Sequence, residues 1–334
     1  MNAKLTFGYL YDFRNPAQWG RPWDRHYQET LDVIAWSETV GFSHAWVPEH
    51  HMASDGYMPS PLIAMSAIAA RTKSIRVGSG IALAPLYNPV RFATDCAVLD
   101  VISGGRLDVG LAIGYRKRET AAFGVDFTKR GKLFDEWLEI VRRLFAGETV
   151  DHDGTHFQIS GAKLAPSPMG HVPIFIGGFA DKSIERVIRF GDGYIGSEQV
   201  CDAYVAKLKE RGDDPQGGAV RVTGITTVVA DDPEAAFEEL APYFHHVNNS
   251  YGEWFSEGTT HSADHGFQPM SLEDFKASGV VNVLTPDEAI AMLKDLQGRM
   301  PLEHYIFGMP AGLPADRFVH YAGIISSKII PAFA

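Results

Sequence analysis

The fold of this chain is decided by the stretch Trp46-Val47-Pro48-Glu49-His50-His51-Met52, which follows a long amphipathic helix and a turn at Gly41. Its first residues predict a short buried strand, and three titratable side chains arrive where that strand stops. Inside a strand these groups would be buried and unpaired at considerable cost, so we place them at its end or in the next loop. In parallel α/β proteins that end binds ligands, although such side chains also serve simply to cap a loop. Because side chains alternate along a strand, Glu49 and His51 should point one way and His50 the other.

Strand-like runs alternate with amphipathic helices along the whole chain, and no internal repeat interrupts them. Besides the run that ends at Glu49, we expect strands at residues 5–13, 75–84, 106–114, 172–179, 193–197, 220–230 and 304–309. Eight strands in this order predict an α/β fold, a (β/α)8 TIM barrel with insertions, as one domain over residues 1–334. A doubly wound open sheet is the alternative.

Two stretches predict insertions into this barrel. Asp153-Gly154 lies between two strand-like runs and indicates a hairpin at about 148–170. The stretch at about 244–283 is rich in His, Ser, Gly and aromatic residues, and loops of that length are usually functional lids.

Composition places the chain among soluble globular proteins. Of the 334 residues, 45% are hydrophobic and 21% are charged, which is enough for a large core. The net charge of −11 argues against nucleic acid and anionic membranes as partners. Cys96 and Cys201 lie far apart and form no CxxC pattern, so no disulfide framework is predicted. Residues 1–4 lead straight into a strand without a signal peptide, and no apolar run reaches bilayer length, so a cytoplasmic location is expected.

A second candidate site begins at Ile174-Phe175-Ile176-Gly177-Gly178 and runs to Ser183. A strand ends there in two glycines, and a helix begins shortly afterwards. Glycines let the backbone approach a ligand closely, and the free N–H groups of a helix start attract an anion, which favours a phosphate site. A tight turn with Asp181 as the helix N-cap is the other interpretation. Arg186 could either neutralise a phosphate or face solvent.

Small residues also occur at the end of the third predicted strand, in Gly78-Ser79-Gly80-Ile81-Ala82-Leu83. They would let a flat ring lie against the backbone. Packing of the strand against bulky neighbours explains the same residues, and on this stretch alone packing is the favoured interpretation.

Several catalytic motifs are absent from the sequence. Residues 128–132 resemble the end of a P-loop, but Leu133 replaces the required Ser or Thr. No HExxH or GxSxG pattern occurs, and Gly78 and Gly80 are followed by Leu83 where a GxGxxG needs its third glycine. Histidines are adjacent at 50/51 and at 245/246, and neighbouring side chains on a strand diverge, so neither pair predicts a metal clamp. We therefore expect no metal site and disfavour a metal-dependent hydrolase.

Several longer motifs occur in a distinctive order: EHH, GSGIALAPLYNPVR, SGGRLDVGLAIG, FGVDFTKRGKLFDEWLEIVRRLFAG, GTHF, VPIFIGG and FGDGYIGS. In this order and spacing the chain resembles the luciferase-like flavin-dependent monooxygenase family, the bacterial luciferase superfamily. The resemblance covers about residues 5–230 and resumes near Tyr305.

The resemblance implies a barrel that binds reduced FMN and reacts it with O2. Through a C4a-peroxyflavin it would oxygenate a small organic substrate. By the same resemblance, His50 acts near the flavin peroxide and Glu49 lies by the isoalloxazine. A non-proline cis peptide bond beneath the ring would fall between Gly80 and Ile81.

The resemblance also implies a phosphate site at Gly177, Gly178 and Ser183, with Phe179 in the same loop. Luciferases of the family carry an Arg at the end of the fourth strand, where this chain has Ile113, so Tyr115 or Arg116 would serve in its place.

Three further expectations concern cofactors and partners. Because no dinucleotide fingerprint is present, a separate NAD(P)H:flavin reductase would supply the reduced flavin. The protein is expected to be a homodimer. A sister branch of the family uses the deazaflavin coenzyme F420 for hydride transfer on the same barrel, and this is the alternative function. A catalytically silent flavin-binding barrel is a third possibility.

Overall fold

The computed structural model describes residues 4–215, 218–257 and 267–334. Eight parallel strands close into a barrel in the order β1-β12-β9-β8-β7-β4-β3-β2, which confirms the predicted TIM barrel. Its strands are β1 (Thr6–Leu10), β2 (His44–Val47), β3 (Arg76–Leu83), β4 (Leu107–Ala112), β7 (Ile174–Ile176), β8 (Gly193–Gly196), β9 (Ala219–Gly224) and β12 (Leu302–Gly308).

Four short strands lie outside the barrel and form two small sheets. β5 (Val150–Asp153) and β6 (Gln158–Ala162) pair antiparallel, where the sequence predicted a hairpin. Asp153 belongs to β5 itself, so the turn is longer than the two residues expected. β10 (Thr227–Val229) and β11 (Asn282–Leu284) pair in parallel.

Helices connect the strands on the outside of the barrel. They are α1 (Trp23–Thr39), α2 (Pro61–Arg71), α3 (Pro89–Ser103), α4 (Lys117–Ala122), α5 (Arg130–Phe145), α6 (Asp181–Phe190), α7 (Glu198–Arg211), α8 (Pro233–Ser256), α9 (Leu272–Ala277), α10 (Pro286–Arg299) and α11 (Ala315–Ile324).

Helix α5 shows how the apolar pattern selects these elements. Phe134, Trp137, Leu138 and Val141 recur at spacings of three and four and are buried against the barrel.

Helix α3 ends where Gly104 adopts φ +71°, a left-handed conformation that favours glycine.

The prediction of a long irregular stretch at 244–283 is wrong for its first part. Helix α8 continues through Pro242 as far as Ser256, and α9 and β11 form further along. The buried positions of α8 include Asn248 and Gly252, so its helical spacing is not visible as an apolar stripe. Residues 258–266 of this predicted lid lie outside the described part of the chain.

Two smaller expectations are also wrong. The predicted strand 220–230 is two strands, because the chain leaves the barrel after Gly224 and β10 pairs elsewhere. The N-cap of α6 is Ala180, so Asp181 is the first residue of that helix rather than its cap.

The barrel interior changes from ionic near the start of the strands to apolar in the middle. Near the start, the buried Asp108 carboxylate contacts Arg76 at 2.5 Å, His44 at 3.2 Å and Arg221 at 3.5 Å. Burial alone would raise the pKa of Asp108, but the hydrogen bonds from His44 and Arg76 hold it well below its ordinary value.

Above this ionic layer, Trp46, Phe175, Ile195 and Ile306 form an apolar cluster that fills the barrel. The Trp46 indole N–H donates to His304 Nε2 at 3.0 Å, which joins the two layers. The carboxyl ends of the barrel strands therefore lie above a filled barrel interior.

We expect Asp108→Asn to lower the free energy of unfolding by about 3–5 kcal/mol, because it removes the buried carboxylate that neutralises the buried Arg221 and the half-buried Arg76. Denaturant titration at neutral pH measures this. The control is Asp295→Asn, which removes an exposed partner of Arg299 on α10 and should cost less than about 1 kcal/mol. Equal losses in the two variants would contradict the role given to Asp108.

Candidate active site

The Glu-His-His segment lies directly after β2, at the carboxyl end of the barrel, as predicted. The predicted divergence of its side chains is confirmed. His51 Nε2 bonds to Glu49 Oε1 at 2.8 Å, whereas His50 turns the other way and bonds to Glu119.

The side chain of Glu49 forms hydrogen bonds with groups at and just after the end of β3. Its side chain is buried, and its oxygens accept hydrogen bonds from the Leu83 backbone N–H and the Tyr87 hydroxyl, both at 2.7 Å. With His51 this makes three partners. In this structure Glu49 is therefore a positioning group that fixes the ends of β2 and β3 relative to each other.

His50 is the enclosed imidazole of the site, with only 7% of its surface exposed. Nδ1 lies 3.0 Å from Glu119 Oε1, and Nε2 lies 3.4 Å from the Tyr115 hydroxyl. Tyr57 and Trp254 close the remaining sides, with ring centroids 4.8 Å and 5.0 Å from the imidazole. An imidazole held at one nitrogen and enclosed by aromatic rings is suited to moving a proton at the other.

Glu119 and Arg116 form the support behind His50. Glu119 Oε1 accepts from the His51 backbone N–H at 2.8 Å and from Arg116 Nη1 at 3.0 Å. Burial opposes the charge, but the hydrogen bond and nearby imidazole of His50 outweigh it and lower the pKa of Glu119. The carboxylate is thus ionised and favours a proton on His50 Nδ1.

The positions of Arg116 and Glu119 differ in part from what the sequence led us to expect. Arg116, expected at the cofactor, is fully buried against Glu119 and the His51 carbonyl oxygen. Sequence reasoning missed Glu119, which is 69 residues from His50. A signal was present, because Glu119 lies three residues after Arg116 on a short helix, a spacing that favours an ion pair.

The end of β3 forms another wall of the site. The peptide bond between Gly80 and Ile81 is cis, as the resemblance implied. A Cβ on Gly78 would lie 2.5 Å from the Trp46 ring, so the strand packs directly on the barrel floor. Ile81 is partly buried and contacts the glycine loop that follows β7, where a Cβ on Gly177 would overlap its side chain.

The loop after β7 keeps the features that predicted a phosphate site. Gly178 has φ +136°, which L-residues rarely adopt, and the Ser183 side chain packs against it. Ala180 provides no side-chain cap, so the Asp181 and Lys182 N–H groups are free for an anion, whereas the Ser183 N–H donates to the Ala180 carbonyl oxygen at 2.7 Å. Phe179 is 56% exposed beside them. The loop therefore fits a phosphate monoester.

Arg186 does not contribute a free charge to this loop. Its guanidinium donates to Asp135 Oδ1 at 2.5 Å and to the Gly131 carbonyl oxygen at 3.1 Å. Of the two roles that the sequence left open, neither is observed, because the side chain ties α6 to α5.

Helix α8 covers the mouth of the barrel over His50, in the stretch where the sequence predicted a lid formed by a loop. Asp55 Oδ2 accepts from Arg14 Nε and from His246 Nε2, both at 2.7 Å. Arg14 Nη2 also donates to Ser250 at 2.6 Å. These bonds hold the helix so that Trp254 packs against His50. The spacing of His246, Ser250 and Trp254 by fours is the signal that could have placed them on one helix face.

Asp12 is a second titratable group at the mouth that sequence reasoning missed. It lines a small cavity of about 20 Å³, which also contacts Tyr57, Tyr251 and Met309. Such a volume holds about one water molecule. Burial raises the pKa of Asp12 to about 6, against the lowering influence of Arg14.

Within residues 4–215, 218–257 and 267–334, no group of three or more His, Cys, Asp or Glu side chains is arranged to hold a metal ion. His245 bonds to the Met270 carbonyl oxygen and His246 to Asp55, so this adjacent pair diverges as expected. No described helix is both long and apolar enough to span a membrane.

Comparison with known proteins agrees with this architecture. The model of the luciferase-like monooxygenase family matches residues 5–300, and the chain belongs to that family. The Acinetobacter baylyi oxygenase component of a flavin-dependent trigonelline monooxygenase is 24% identical over 332 residues, covering 92% of this chain and 90% of that protein. The F420-dependent glucose-6-phosphate dehydrogenase of Amycolatopsis mediterranei is 25% identical over 308 residues, covering 87% and 91%.

Two further matches cover different fractions of the matched proteins. A Sinorhizobium fredii protein, y4vJ, is 33% identical over 170 residues, and the chain spans only 47% of its length. The crystal structure of the monooxygenase RslO1 from Streptomyces bottropensis superimposes with a TM-score of 0.82 at 23% identity, covering 98% of this chain and 100% of that one, and shows the shared fold. The relatives support oxidoreductase activity and include both flavin monooxygenases and F420-dependent enzymes.

The raised pKa of Asp12 predicts a specific pH dependence of stability. In the unfolded chain an Asp titrates near 3.9, so between about pH 4 and 6 the folded state binds the extra proton. The contribution of Asp12 to stability is therefore complete below about pH 4 and is lost as pH rises through 6.

Asp12→Asn removes the cost of the buried charge. We expect the variant to be more stable than the wild type by about 2–3 kcal/mol at pH 7.5, with a gain below about 1 kcal/mol at pH 4.5. Denaturant titrations at the two pH values measure the difference. Asp24→Asn, which changes an exposed carboxylate at the start of α1, should show no such pH-dependent gain. A gain for Asp12→Asn that is the same at both pH values would contradict the prediction.

Proposed function

We propose that this protein is a flavin-dependent monooxygenase that uses reduced FMN and O2 to oxygenate a small organic substrate. The observation that carries the proposal is the enclosure of His50, which Glu119 holds and three tyrosines and Trp254 surround. When bound, reduced FMN would supply the electrons that activate O2. Oxygenation in competition with peroxide release requires exclusion of water, and the aromatic cover formed by α8 provides it.

The loop after β7 would hold the FMN phosphate. Gly177 and Gly178 allow close approach of the backbone, and the free N–H groups at the start of α6 offer the partial positive charge that a phosphate prefers. The end of β3 at Gly80 and Ile81, fixed by Glu49 through the Leu83 backbone, would carry the flat ring. Tyr115, beside His50, is available to contact the cofactor from the side of β4.

His50 would act through Nε2. Glu119 holds Nδ1, so Nε2 is the nitrogen that faces the enclosed space and can take or release a proton there. The burial of Tyr115 raises its pKa well above the ordinary value, so its hydroxyl is neutral and can donate a hydrogen bond. Glu49 contributes by holding the strand ends and does not exchange protons with the substrate.

A separate NAD(P)H-dependent flavin reductase would supply reduced FMN, because the one GxGxxG spacing, from Gly191 to Gly196, ends inside strand β8 and does not form the turn between strand and helix that a dinucleotide site needs. The second candidate function is an F420-dependent oxidoreductase. The dehydrogenase from Amycolatopsis mediterranei favours it, since this relative aligns over most of the chain. The two candidates differ in cofactor, so direct binding separates them.

The test of the cofactor is a titration of the purified protein with FMN, reduced FMN and F420, followed by flavin fluorescence or absorbance. We expect reduced FMN to bind most tightly. Tight binding of F420 alone would reject the proposal in favour of the second candidate, and binding of none of them would reject both.

The phosphate site is tested by Ala180→Asp. Ala180 is the exposed N-cap of α6, where an Asp side chain stabilises a helix by about 1 kcal/mol. The same carboxylate would repel a phosphate, so we expect FMN affinity to fall by about tenfold or more while thermal stability is kept or raised. Ala180→Asn is the matched control without the charge, and its FMN affinity should stay within about threefold of the wild type. Unchanged FMN affinity in Ala180→Asp would reject the site.

The role of His50 is tested by His50→Ala in single-turnover reactions of reduced FMN with O2. With simple oxygen acceptors (a thioether, an aldehyde and a cyclic ketone), oxygenation should fall by about 10²–10⁴-fold, the usual effect of losing an acid–base group. Release of H2O2 should rise, and FMN affinity should change far less.

Glu119→Gln separates proton transfer from packing. It keeps the shape but removes the charge beside Nδ1, so we expect the pH profile of oxygenation to shift while the fold stays intact. A folded His50→Ala variant with the wild-type ratio of product to H2O2 would end the catalytic interpretation.

A further inference from the structure

A polar cleft of about 300 Å³ lies beside the aromatic rings that enclose His50. Its walls come from three places: the segment before Asp55, the start of α4 at Arg116 and Arg118, and the outer face of α8. Trp254 lies between the cleft and His50, because it lines the cleft and its ring is 5.0 Å from the His50 ring. A molecule in the cleft is thus one side chain away from the imidazole.

Two buried polar atoms in this cleft have no partner. Asp55 Oδ1 and Arg116 Nε are buried, and neither forms a hydrogen bond. The side chain of Asp55 is 7% exposed and that of Arg116 is 1% exposed. Unpaired buried polar atoms are uncommon in folded proteins, and a bound polar molecule is one way to satisfy them. Both residues line the cleft, but these two atoms, one acceptor and one donor, lie beneath its surface.

The charges at the rim of the cleft are of opposite sign and are not paired with each other. Arg118 and Glu253 are both exposed, and among the described residues neither side chain forms an ion pair or hydrogen bond. The other charged groups in the lining already have partners. Asp55 contacts Arg14 and His246, and Arg116 contacts Glu119 and Glu257.

We propose that this cleft binds the substrate as a small zwitterion, with a carboxylate at Arg118 and a cationic nitrogen at Glu253. This inference rests on the proposed function and assigns its substrate class. A purely anionic or purely cationic molecule would leave one of the two charges unmatched. A zwitterion matches both. The cleft is then the entrance subsite, from which the substrate passes Trp254 to reach His50.

The test uses three probes of equal length: 4-aminobutyrate, butyrate and butylamine. Calorimetric titration in low-salt buffer, with and without FMN, measures their affinities. We expect the zwitterion to bind about tenfold more tightly than either singly charged probe, the factor that one charge-assisted hydrogen bond supplies. Shorter and longer amino acids, glycine and 6-aminohexanoate, show which spacing of charges fits best. Equal affinities for all probes would overturn the inference.

Charge variants locate the binding. Arg118→Gln should reduce the affinity for the zwitterion to that for butylamine, and Glu253→Gln should reduce it to that for butyrate. The double variant Arg118→Glu/Glu253→Arg exchanges the charges and should recover the preference for the zwitterion. Lys117→Gln is the matched control, because Lys117 lies over the Phe127 ring, outside the cleft lining, and its loss should change nothing. A preference for the zwitterion that survives Arg118→Gln or Glu253→Gln would overturn the assignment.

The FMN titration of the wild-type protein keeps this inference separate from the proposed function. If FMN binds and the zwitterion shows no advantage, the inference fails and the proposed function stands. If the charge variants change zwitterion affinity as expected but FMN does not bind, the cleft is a zwitterion site and the proposed function fails.

Discussion

The buried carboxylate of Glu49 is the constraint on which the rest of the site depends. It accepts hydrogen bonds from the Leu83 backbone, the Tyr87 hydroxyl and His51, so it joins the end of β2 to the end of β3. A carboxyl group in a nearly dry position is stable only with hydrogen-bond partners, and three of them fix its orientation. Because His50 is the next residue, the same bonds determine where its backbone lies.

Around this centre, buried cations are arranged in pairs with carboxylates. Arg14 pairs with Asp55, Arg116 pairs with Glu119, and both guanidinium groups lie within 5.5 Å of the Trp254 ring. A guanidinium over an aromatic face gains electrostatic attraction where water is excluded. Ion pairs therefore stabilise the position of α8 over His50 as much as apolar contacts do. This explains how a helix with a polar sequence can cover a buried imidazole.

The two ends of the barrel use similar residue types for different purposes. Near the start of the strands, His44, Asp108 and Arg221 form a buried network that is closed to solvent by the Trp46 layer. At the carboxyl end, His50 and Glu119 face a space that a helix covers. The first arrangement stabilises the barrel, whereas the second leaves one imidazole nitrogen available, as is usual for active sites at this end of such barrels.

Much of the fold and part of the site could be predicted from local sequence. The alternation of strands and helices depends on the period of apolar residues within each element, which explains why every barrel strand overlaps a predicted strand. The opposite directions of Glu49 and His50 follow from strand geometry alone. Two glycines before a helix likewise predicted the shape of the loop after β7, and the resemblance implied the cis bond at Gly80 and Ile81.

Only the tertiary structure decided which side chains meet. Glu119 reaches His50 across 69 residues, and Arg14 reaches His246 across 232, distances over which no local pattern carries information. The helical state of residues 244–256 was missed for a related reason. Its buried face contains Asn248 and Gly252, whose partners Gln268 and Pro269 come from a later segment, so burial there is set by packing rather than by hydrophobicity. The sequence by itself determined the barrel and the position of His50. Contacts between residues far apart in the chain determined that Glu119 bonds to this histidine and that Trp254 covers it.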